Sequence, residues 1–141
     1  MTIKETAGKV LLYFYQMQRT APLAMPNRQV GFIEKKDGGL GFTSDKKWLA
    51  KDLLSLNPKA TDVYNALLFL LNKNYIQARE RVSTKARIYV GIELTGGGID
   101  ITEGIERGRD GHRDFEAAFN IKSNSSRVED LIKEALGDLL G

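Results

Sequence analysis

One stretch of this sequence, from Gly41 to Ile92, most constrains how the chain folds. Two runs with apolar residues at helical spacing, separated by Asn57-Pro58, lead directly into two runs of strand residues around a basic turn. Residues three and four positions apart share one face of a helix, whereas alternate residues share one face of a strand. The order helix, turn, helix, strand, charged loop and strand therefore predicts an α+β core in which a helix pair is followed by a hairpin.

The helix pair has recognisable ends. Ser44 or Thr43 is a candidate N-cap for the first helix, which we expect to run to about Leu54. The second helix is expected over about residues 59–73, with Asn74 in the left-handed conformation that commonly closes a helix. The apolar residues that we expect these helices to bury are Trp48, Leu49 and Leu53 in the first, and Val63, Leu67, Leu70 and Leu71 in the second.

Further elements precede and follow this helix pair. Residues 3–19 predict a first helix, which Pro22 ends. Apolar runs on both sides of residues 36–39, which include Asp37-Gly38, predict a hairpin over about residues 30–43, because glycine supplies the positive φ that tight turns need. The strands of the later hairpin are expected at Tyr75–Val82 and Arg87–Glu93, joined by Ser83-Thr84-Lys85-Ala86.

The C-terminal part is expected to hold two helices and a loop. After the flexible Gly96-Gly97-Gly98, we predict a helix near Ile99–Arg107 and then a polar loop from Gly108 to Asp114. A final amphipathic helix is expected over about Arg127–Leu140. On this basis residues 1–107 form the main domain, and residues 108–141 are an appended loop and helix.

The last helix carries an apolar stripe that has to be covered. Its members are Val128, Leu131, Ile132, Ala135, Leu136 and Leu139. Each large side chain left in water would forfeit roughly 1.5–3 kcal/mol of burial free energy. The stripe either folds back beside the first helix or pairs with its copy across a two-fold axis, and we expect the second arrangement, a homodimer.

Length and composition describe an ordinary soluble protein. The chain has 141 residues, of which 42% are hydrophobic and 28% are charged, so it is long enough for one domain with its own core. It has no cysteine, which excludes disulfides and thiolate metal sites. Lys4, Glu5 and Lys9 interrupt any apolar signal segment, and no apolar tract reaches the roughly 20 residues that span a bilayer. We expect a cytoplasmic protein without a membrane partner.

The net charge of +3 conceals an uneven distribution along the chain. Residues 1–56 carry nine Lys/Arg and five Asp/Glu, residues 57–87 carry six and two, and residues 88–141 carry six and eleven. A basic front and an acidic back would orient a molecule towards a polyanion. The alternative is that these charges simply solvate different faces.

Residues that usually carry catalysis or metal binding are sparse. His112 is the single histidine, and without cysteine it cannot complete a usual zinc site, so we expect it in a solvated loop. The glycine clusters at residues 38–41 and 96–98 lack the Lys-Ser/Thr of a phosphate loop and the spacing of a dinucleotide site. Glu103 and Glu106 lie in an acidic helix. We therefore predict no catalytic residue, no metal site and no cofactor, and a protein that is not an enzyme.

The helix pair and its hairpin resemble the winged helix-turn-helix family of DNA-binding proteins. The resemblance rests, in order, on Ser44, Leu49-Ala50, Val63, Ala66-Leu67, Leu70 and Asn74-Tyr75-Ile76. The hairpin from Arg79 to Tyr89 occupies the position of the wing. The chain departs from the family in having Asn74 where glycine is usual and a longer hairpin at residues 30–43. The resemblance implies a winged helix-turn-helix core with an N-terminal helix, an extra hairpin and C-terminal helices.

This resemblance implies sequence-specific binding of double-stranded DNA by a transcriptional regulator. The second helix would enter the major groove with its N-terminal residues leading, and Asn65 would pair with adenine. The residues expected at DNA are Lys59, Thr61, Asp62 and Asn65 on that helix, Arg79, Arg81, Lys85 and Arg87 on the wing, and Lys46 and Lys47 on the preceding helix. Regular alternation would place Arg79 and Arg81 on one face with Arg87 across from them, and an anion would relieve their repulsion.

Three alternatives compete with this interpretation. Replication or maintenance proteins of plasmids and phages use similar domains. A winged helix also serves as a protein-interaction module, here for an acidic partner. Finally, the polar residues named above are also what an ordinary protein surface contains.

Overall fold

The structure, a computed structural model, describes residues 2–20, 32–34, 40–42, 52–57, 59–82, 87–122 and 127–136. Within these ranges the chain is α+β, as the sequence predicts, and no helix is both long and apolar enough to cross a membrane. The helices are α1 (Ile3–Thr20), α2 (described over residues 52–55), α3 (Ala60–Asn72), α4 (Gly96–Glu103), α5 (Arg109–Phe119) and α6 (Val128–Leu136). The strands are β1 (Phe32–Glu34), β2 (Leu40–Phe42), β3 (Ile76–Val82) and β4 (Arg87–Leu94).

The four strands form one antiparallel sheet in the order β2-β1-β4-β3. Both predicted hairpins are present. β1 pairs with β2 through Phe32 and Phe42, and with β4 through Phe32 and Tyr89. The first hairpin therefore extends the sheet of the second: its first strand, β1, lies beside β4, and β2, the strand directly before the helix pair, forms the edge of the sheet.

The long hairpin contains a bulge at Gly91. Arg79 pairs with Val90 and Gln77 pairs with Glu93, so β4 has one more residue than β3 between these two pairs. Gly91 has a φ of 68°, a left-handed conformation that glycine adopts without the steric cost of a Cβ atom. A glycine of this kind at an extra residue defines a bulge that increases the local twist of the hairpin.

α1 lies at the centre of the hydrophobic core. Five consecutive residues, from Val10 to Phe14, are fully buried at 0% exposure. The helix contacts α3, α4, α5 and α6, and a helix surrounded in this way is buried on more than one face. Tyr13 and Tyr15 are buried for the same reason. One hydrophobic core includes residues of α1, α2, α3, β4, α5 and α6.

Two helices are approached closely by a neighbouring segment at a glycine. A Cβ atom at Gly8 of α1 would lie 2.5 Å from Ile121 Cδ1 and 2.8 Å from Phe119 Cβ. A Cβ atom at Gly111, near the start of α5, would overlap the Gly104 carbonyl group after the end of α4. Any side chain at either glycine would force the neighbouring segment away, so these contacts depend on the absence of one.

The prediction of a polar loop from Gly108 to Asp114 is wrong, because Gly108 is the N-cap of α5 and residues 109–114 form its first half. Its inner face consists of His112, Phe115 and Phe119, which are buried against the core. Three such residues at spacings of three and four suffice for a short helix, but they are too sparse among charged neighbours to give a clear sequence pattern. His112 is accordingly a buried helix residue rather than a solvated loop residue, with its Nε2 3.7 Å from Glu116 Oε2.

The glycine run at residues 96–98 forms the first turn of α4 rather than a flexible link before it. Thr95 is the N-cap, and its side-chain oxygen accepts a hydrogen bond from the Gly98 N–H at 3.0 Å. A Cβ atom at Gly98 would overlap the Tyr75 carbonyl group. α4 therefore begins three residues earlier than predicted, because its glycines permit a close contact with Tyr75, the residue before β3. It ends at Glu103.

The apolar stripe of α6 is covered within the chain. Val128 and Leu131 are fully buried and Ile132 is 2% exposed, while Ala135 packs at the edge of the same core. α6 lies against α1. This part of the stripe is therefore not available for the pairing with a second copy that the sequence suggested. Leu139 lies outside the described residues.

Candidate nucleic-acid interface

The start of α3 depends on the buried side chain of Asn57. Asn57 is 3% exposed, and its Oδ1 accepts a hydrogen bond from the Lys59 N–H at 2.9 Å. Such a bond to the backbone two residues later forms a local turn that helps to decide where a helix starts. The Lys59 carbonyl then accepts from the N–H groups of Asp62 and Val63, which form the first turn. Asn57, rather than an N-cap side chain, thus fixes the first turn of α3.

α3 ends abruptly at the predicted position. Asn74 has a φ of 63°, in the left-handed region. The Tyr75 N–H donates to the Leu70 carbonyl at 2.9 Å, and the Asn74 N–H donates to the Leu71 carbonyl at 3.1 Å. This pair of hydrogen bonds is the Schellman motif, in which glycine is commonest and asparagine is tolerated. The chain therefore turns sharply into β3 despite having no glycine.

α3 has a buried side and an open side. Its buried residues are Val63, Ala66, Leu67 and Leu70. Lys59, Thr61 and Asn65 are exposed, as predicted, and Asp62 is half-buried in the first turn, where a carboxylate is favourable to the helix dipole. Leu71 was expected to be buried but is half-buried, because it lies at the edge of the apolar stripe. The open edge therefore begins at the N-terminal end of the helix.

Hydrogen bonds attach both helices of the pair to α1. The Tyr13 hydroxyl donates to Asp52 Oδ2 at 2.8 Å, which links α1 to α2. Burial, and then this bond to the carboxylate, raises the pKa of Tyr13 above its usual range, so the hydroxyl stays a donor. Asn57 Nδ2 donates to Thr6 Oγ1 at 2.9 Å, and Thr6 Oγ1 donates to the Thr2 carbonyl at 2.9 Å. The central helix thus holds α2 and the start of α3.

The base of the long hairpin is fastened to the end of α3. The Thr95 hydroxyl donates to the Asn74 carbonyl at 2.5 Å, and the Thr95 N–H donates to the Tyr75 carbonyl at 3.1 Å. Thr95 follows the last residue of β4, whereas Asn74 and Tyr75 precede β3. The two ends of the hairpin therefore meet at the turn that closes α3, which fixes the hairpin's origin relative to that helix.

Strand register places the predicted wing residues on two faces. Position 79 pairs with position 90, and position 81 pairs with position 88. Positions 79 and 81 therefore share one face of the ribbon, as predicted. Arg79 is exposed. Arg87, however, pairs with Val82 on one side and with Glu34 of β1 on the other. Because position 82 alternates with position 81, Arg87 occupies the opposite face of the ribbon, and the prediction that it joins Arg79 and Arg81 is wrong.

The other residues predicted to contact DNA have no described side chain. Lys46, Lys47 and Lys85 lie outside the described residues. Arg81 and Arg87 are described by their backbone pairing alone.

Sequence reasoning missed the residues that hold the helix pair in place. Thr6, Tyr13 and Asp52 gave no local signal, because each partner is tens of residues away in the chain. Asn57 did give one, since an asparagine just before a helix commonly forms a turn with the backbone, but we interpreted it as a helix break.

Comparison with known proteins adds no family to this description. No family model, no curated protein and no solved structure matches the chain. Within the described ranges, no group of three or more His, Asp or Glu side chains is arranged to hold a metal ion.

Proposed function

We propose that this chain is a winged helix-turn-helix protein that binds double-stranded DNA in a sequence-specific way, as a transcriptional regulator. The observation that carries the proposal is the open polar edge at the start of α3, formed by Lys59, Thr61 and Asn65, opposite a fully buried stripe. The order of elements supports it, since α2 and α3 are followed by a long hairpin. The pairing of β1 with β4 supports it too, because it joins the hairpin that precedes the helix pair to the hairpin that follows it.

The chemistry of this edge suits a groove of DNA. The N-terminus of a helix carries a partial positive charge and free N–H groups, and Lys59 adds a full charge beside them. These groups would face phosphates, which fix the position of the helix without reading sequence. Asn65 lies about one and a half turns further along, where its amide would donate to and accept from the edge of adenine.

The long hairpin would supply further phosphate contacts. Arg79 and position 81 share the face of the ribbon that does not include Arg87. Two arginines on one face repel each other in the absence of an anion, and phosphates would relieve that cost. Arg87 is excluded from this part of the proposal, because the strand register places it on the opposite face of the ribbon.

The proposal is tested by selecting duplexes from a random pool and measuring binding over a series of salt concentrations. We expect one preferred sequence and a salt-dependent affinity. Replacing Arg79, Arg81 and Lys85 by alanine should weaken binding to all duplexes, and the slope of log K against log salt should fall by about 0.9 for each lost phosphate contact. A matched control replaces Arg107 and Arg113, which are exposed in the acidic C-terminal part, and should leave the slope unchanged. Absence of a preferred duplex for the wild-type protein would refute the proposal.

One observation favours a second candidate, a protein-interaction module. Leu68 follows Thr61 by seven positions and Asn65 by three, so it shares their side of α3, and it is half-buried rather than buried. An apolar side chain there would suit a partner's groove as well as a thymine methyl group. Salt-sensitive retention of duplex DNA favours the first function, whereas no retention of duplex at low salt favours the second.

A further inference from the structure

The hydrogen bonds between Thr6, Asn57 and Lys59 form a continuous buried connection from α1 to the start of α3. The Lys59 N–H donates to Asn57 Oδ1, Asn57 Nδ2 donates to Thr6 Oγ1, and the Thr6 hydroxyl donates to the Thr2 carbonyl, each at 2.9 Å. Thr6 is 0% exposed and Asn57 is 3% exposed. Each side chain thus uses both its donor and its acceptor within this connection.

Buried polar groups of this kind are costly unless they are satisfied, so the geometry that satisfies them is strongly preferred. A shift of the first turn of α3 relative to α1 would stretch the bond between Asn57 and Thr6 or the bond between Lys59 and Asn57, since these two bonds join Lys59 to α1. The apolar residues of α3 do not impose the same restriction, because apolar contacts tolerate small sliding movements better than directional hydrogen bonds do. The connection therefore specifies where the N-terminal turn of α3 lies.

We infer that Thr6 and Asn57 are positioning residues for DNA recognition: they set the place of Lys59, Thr61 and Asn65 without touching DNA themselves. This inference rests on the proposed function. Base-edge hydrogen bonds are lost when a side chain is displaced by about an ångström, whereas phosphate attraction is much less sensitive to position. The loss of the connection should therefore reduce discrimination between sequences and leave non-specific affinity nearly unchanged.

The test replaces Thr6 by valine, which has nearly the same shape but no hydroxyl, and by serine, which keeps the hydroxyl. The measured quantity is the ratio of dissociation constants for a scrambled duplex and for the duplex selected by the wild-type protein. We expect the ratio to fall about tenfold in Thr6→Val, the size of one good base contact, and to recover in Thr6→Ser. Affinity for the scrambled duplex should stay within twofold of the wild-type value.

Thr102 provides a matched control for general loss of stability. Like Thr6 it is a fully buried threonine on a helix, and its hydroxyl donates to a carbonyl four residues earlier, that of Gly98, at 2.8 Å. Thr102→Val should lower the melting temperature but leave the ratio unchanged. If Thr6→Val does not fold, Asn57→Ser replaces it, because serine retains the local bond to the Lys59 N–H but is too short to reach Thr6.

The possible outcomes separate this inference from the proposed function. A wild-type protein without any preferred duplex overturns both. A wild-type protein that discriminates, together with a folded Thr6→Val variant that discriminates equally well, overturns the positioning role alone. Equal losses in Thr6→Val and Thr6→Ser, or an equal loss in Thr102→Val, also overturn it, because the hydroxyl of Thr6 would then not be the cause.

Discussion

α1 and α3 are both rich in apolar residues, yet the fold uses them in opposite ways. α1 buries five consecutive residues at its middle, and its charged residues lie outside that run, at Lys4, Glu5, Lys9 and Arg19. α3 buries a single stripe and interrupts its open side with Thr61, Asn65 and Asn72. Apolar content therefore does not decide how a helix is used. The number of neighbouring elements does: α1 is contacted by each of the other helices, whereas part of α3 has exposed side chains and no covering element among the described residues.

The largest expected loss of stability comes from a substitution in α1, because this helix lies at the centre of the core. Phe14→Ala should lower the free energy of unfolding by about 3–5 kcal/mol, because it leaves a cavity among side chains that are held from several sides. Ile3→Ala on the same helix is the control: Ile3 is 40% exposed, and its replacement should change stability by less than about 0.5 kcal/mol. Urea denaturation measures both. Similar losses in the two variants would mean that α1 is not the centre of the core.

A second prediction concerns α6, which covers one side of α1. Leu131→Ala should cost about 2–5 kcal/mol, since Leu131 is fully buried in the chain's own core. Sedimentation of the folded variant should match that of the wild-type protein, because the side chain is already buried within its own chain. Lys133→Ala, an exposed change on the same helix, serves as the control. An oligomer that dissociates in Leu131→Ala without a loss of stability would restore the dimer interpretation.

On the open side of α3, a substitution is expected to change DNA recognition rather than stability. Asn65→Ala should change stability by less than about 0.5 kcal/mol, since the side chain is exposed. It should instead reduce discrimination at one base pair by about 1–3 kcal/mol, as repeated selection would show. Asn72→Ala, at the far end of the same helix, is the control and should return the wild-type sequence. The assignment fails if Asn65→Ala also selects that sequence.

The smallest expected change in stability comes from a substitution at the end of α3. Asn74→Gly should stabilise the chain by less than about 1 kcal/mol, because glycine adopts a positive φ without a Cβ clash, although it is also more flexible in the unfolded chain. Asn74→Val should destabilise it, since a β-branched residue disfavours this conformation. Thermal unfolding distinguishes the two. Equal melting temperatures for glycine and valine would show that the left-handed turn does not control the end of the helix.

Much of the fold could be predicted from local pattern. α1, α3 and both hairpins were predicted within one or two residues, because each has a clear period and a recognisable end signal, such as Asn74 after α3. α5 could not be predicted in the same way. Its buried face has three residues, and its first turns contain Gly111, which usually signals a turn but here permits contact with the chain after α4.

The candidate site was predictable in composition but not in arrangement. The outward residues of α3 follow from its apolar stripe, so Lys59, Thr61 and Asn65 were predicted correctly as exposed. The face of the ribbon that Arg87 occupies depends on which residues pair next to the hairpin turn. The bulge at Gly91 in turn decides which residues of β4 lie on the same face. A shift of one residue in pairing moves a side chain to the other face of a ribbon, and local sequence does not specify that shift.

The close glycine contacts described above have a consequence for the ancestry of this fold. A protein descended from the same ancestor could exchange the exposed residues on the open side of α3 without moving any other part of the chain. It could not acquire a side chain at Gly8, Gly98 or Gly111 without moving a neighbouring segment, since each would overlap or crowd another part of the chain. Distant relatives should therefore share the spacing of these three glycines long after they have ceased to share the residues that contact their partners.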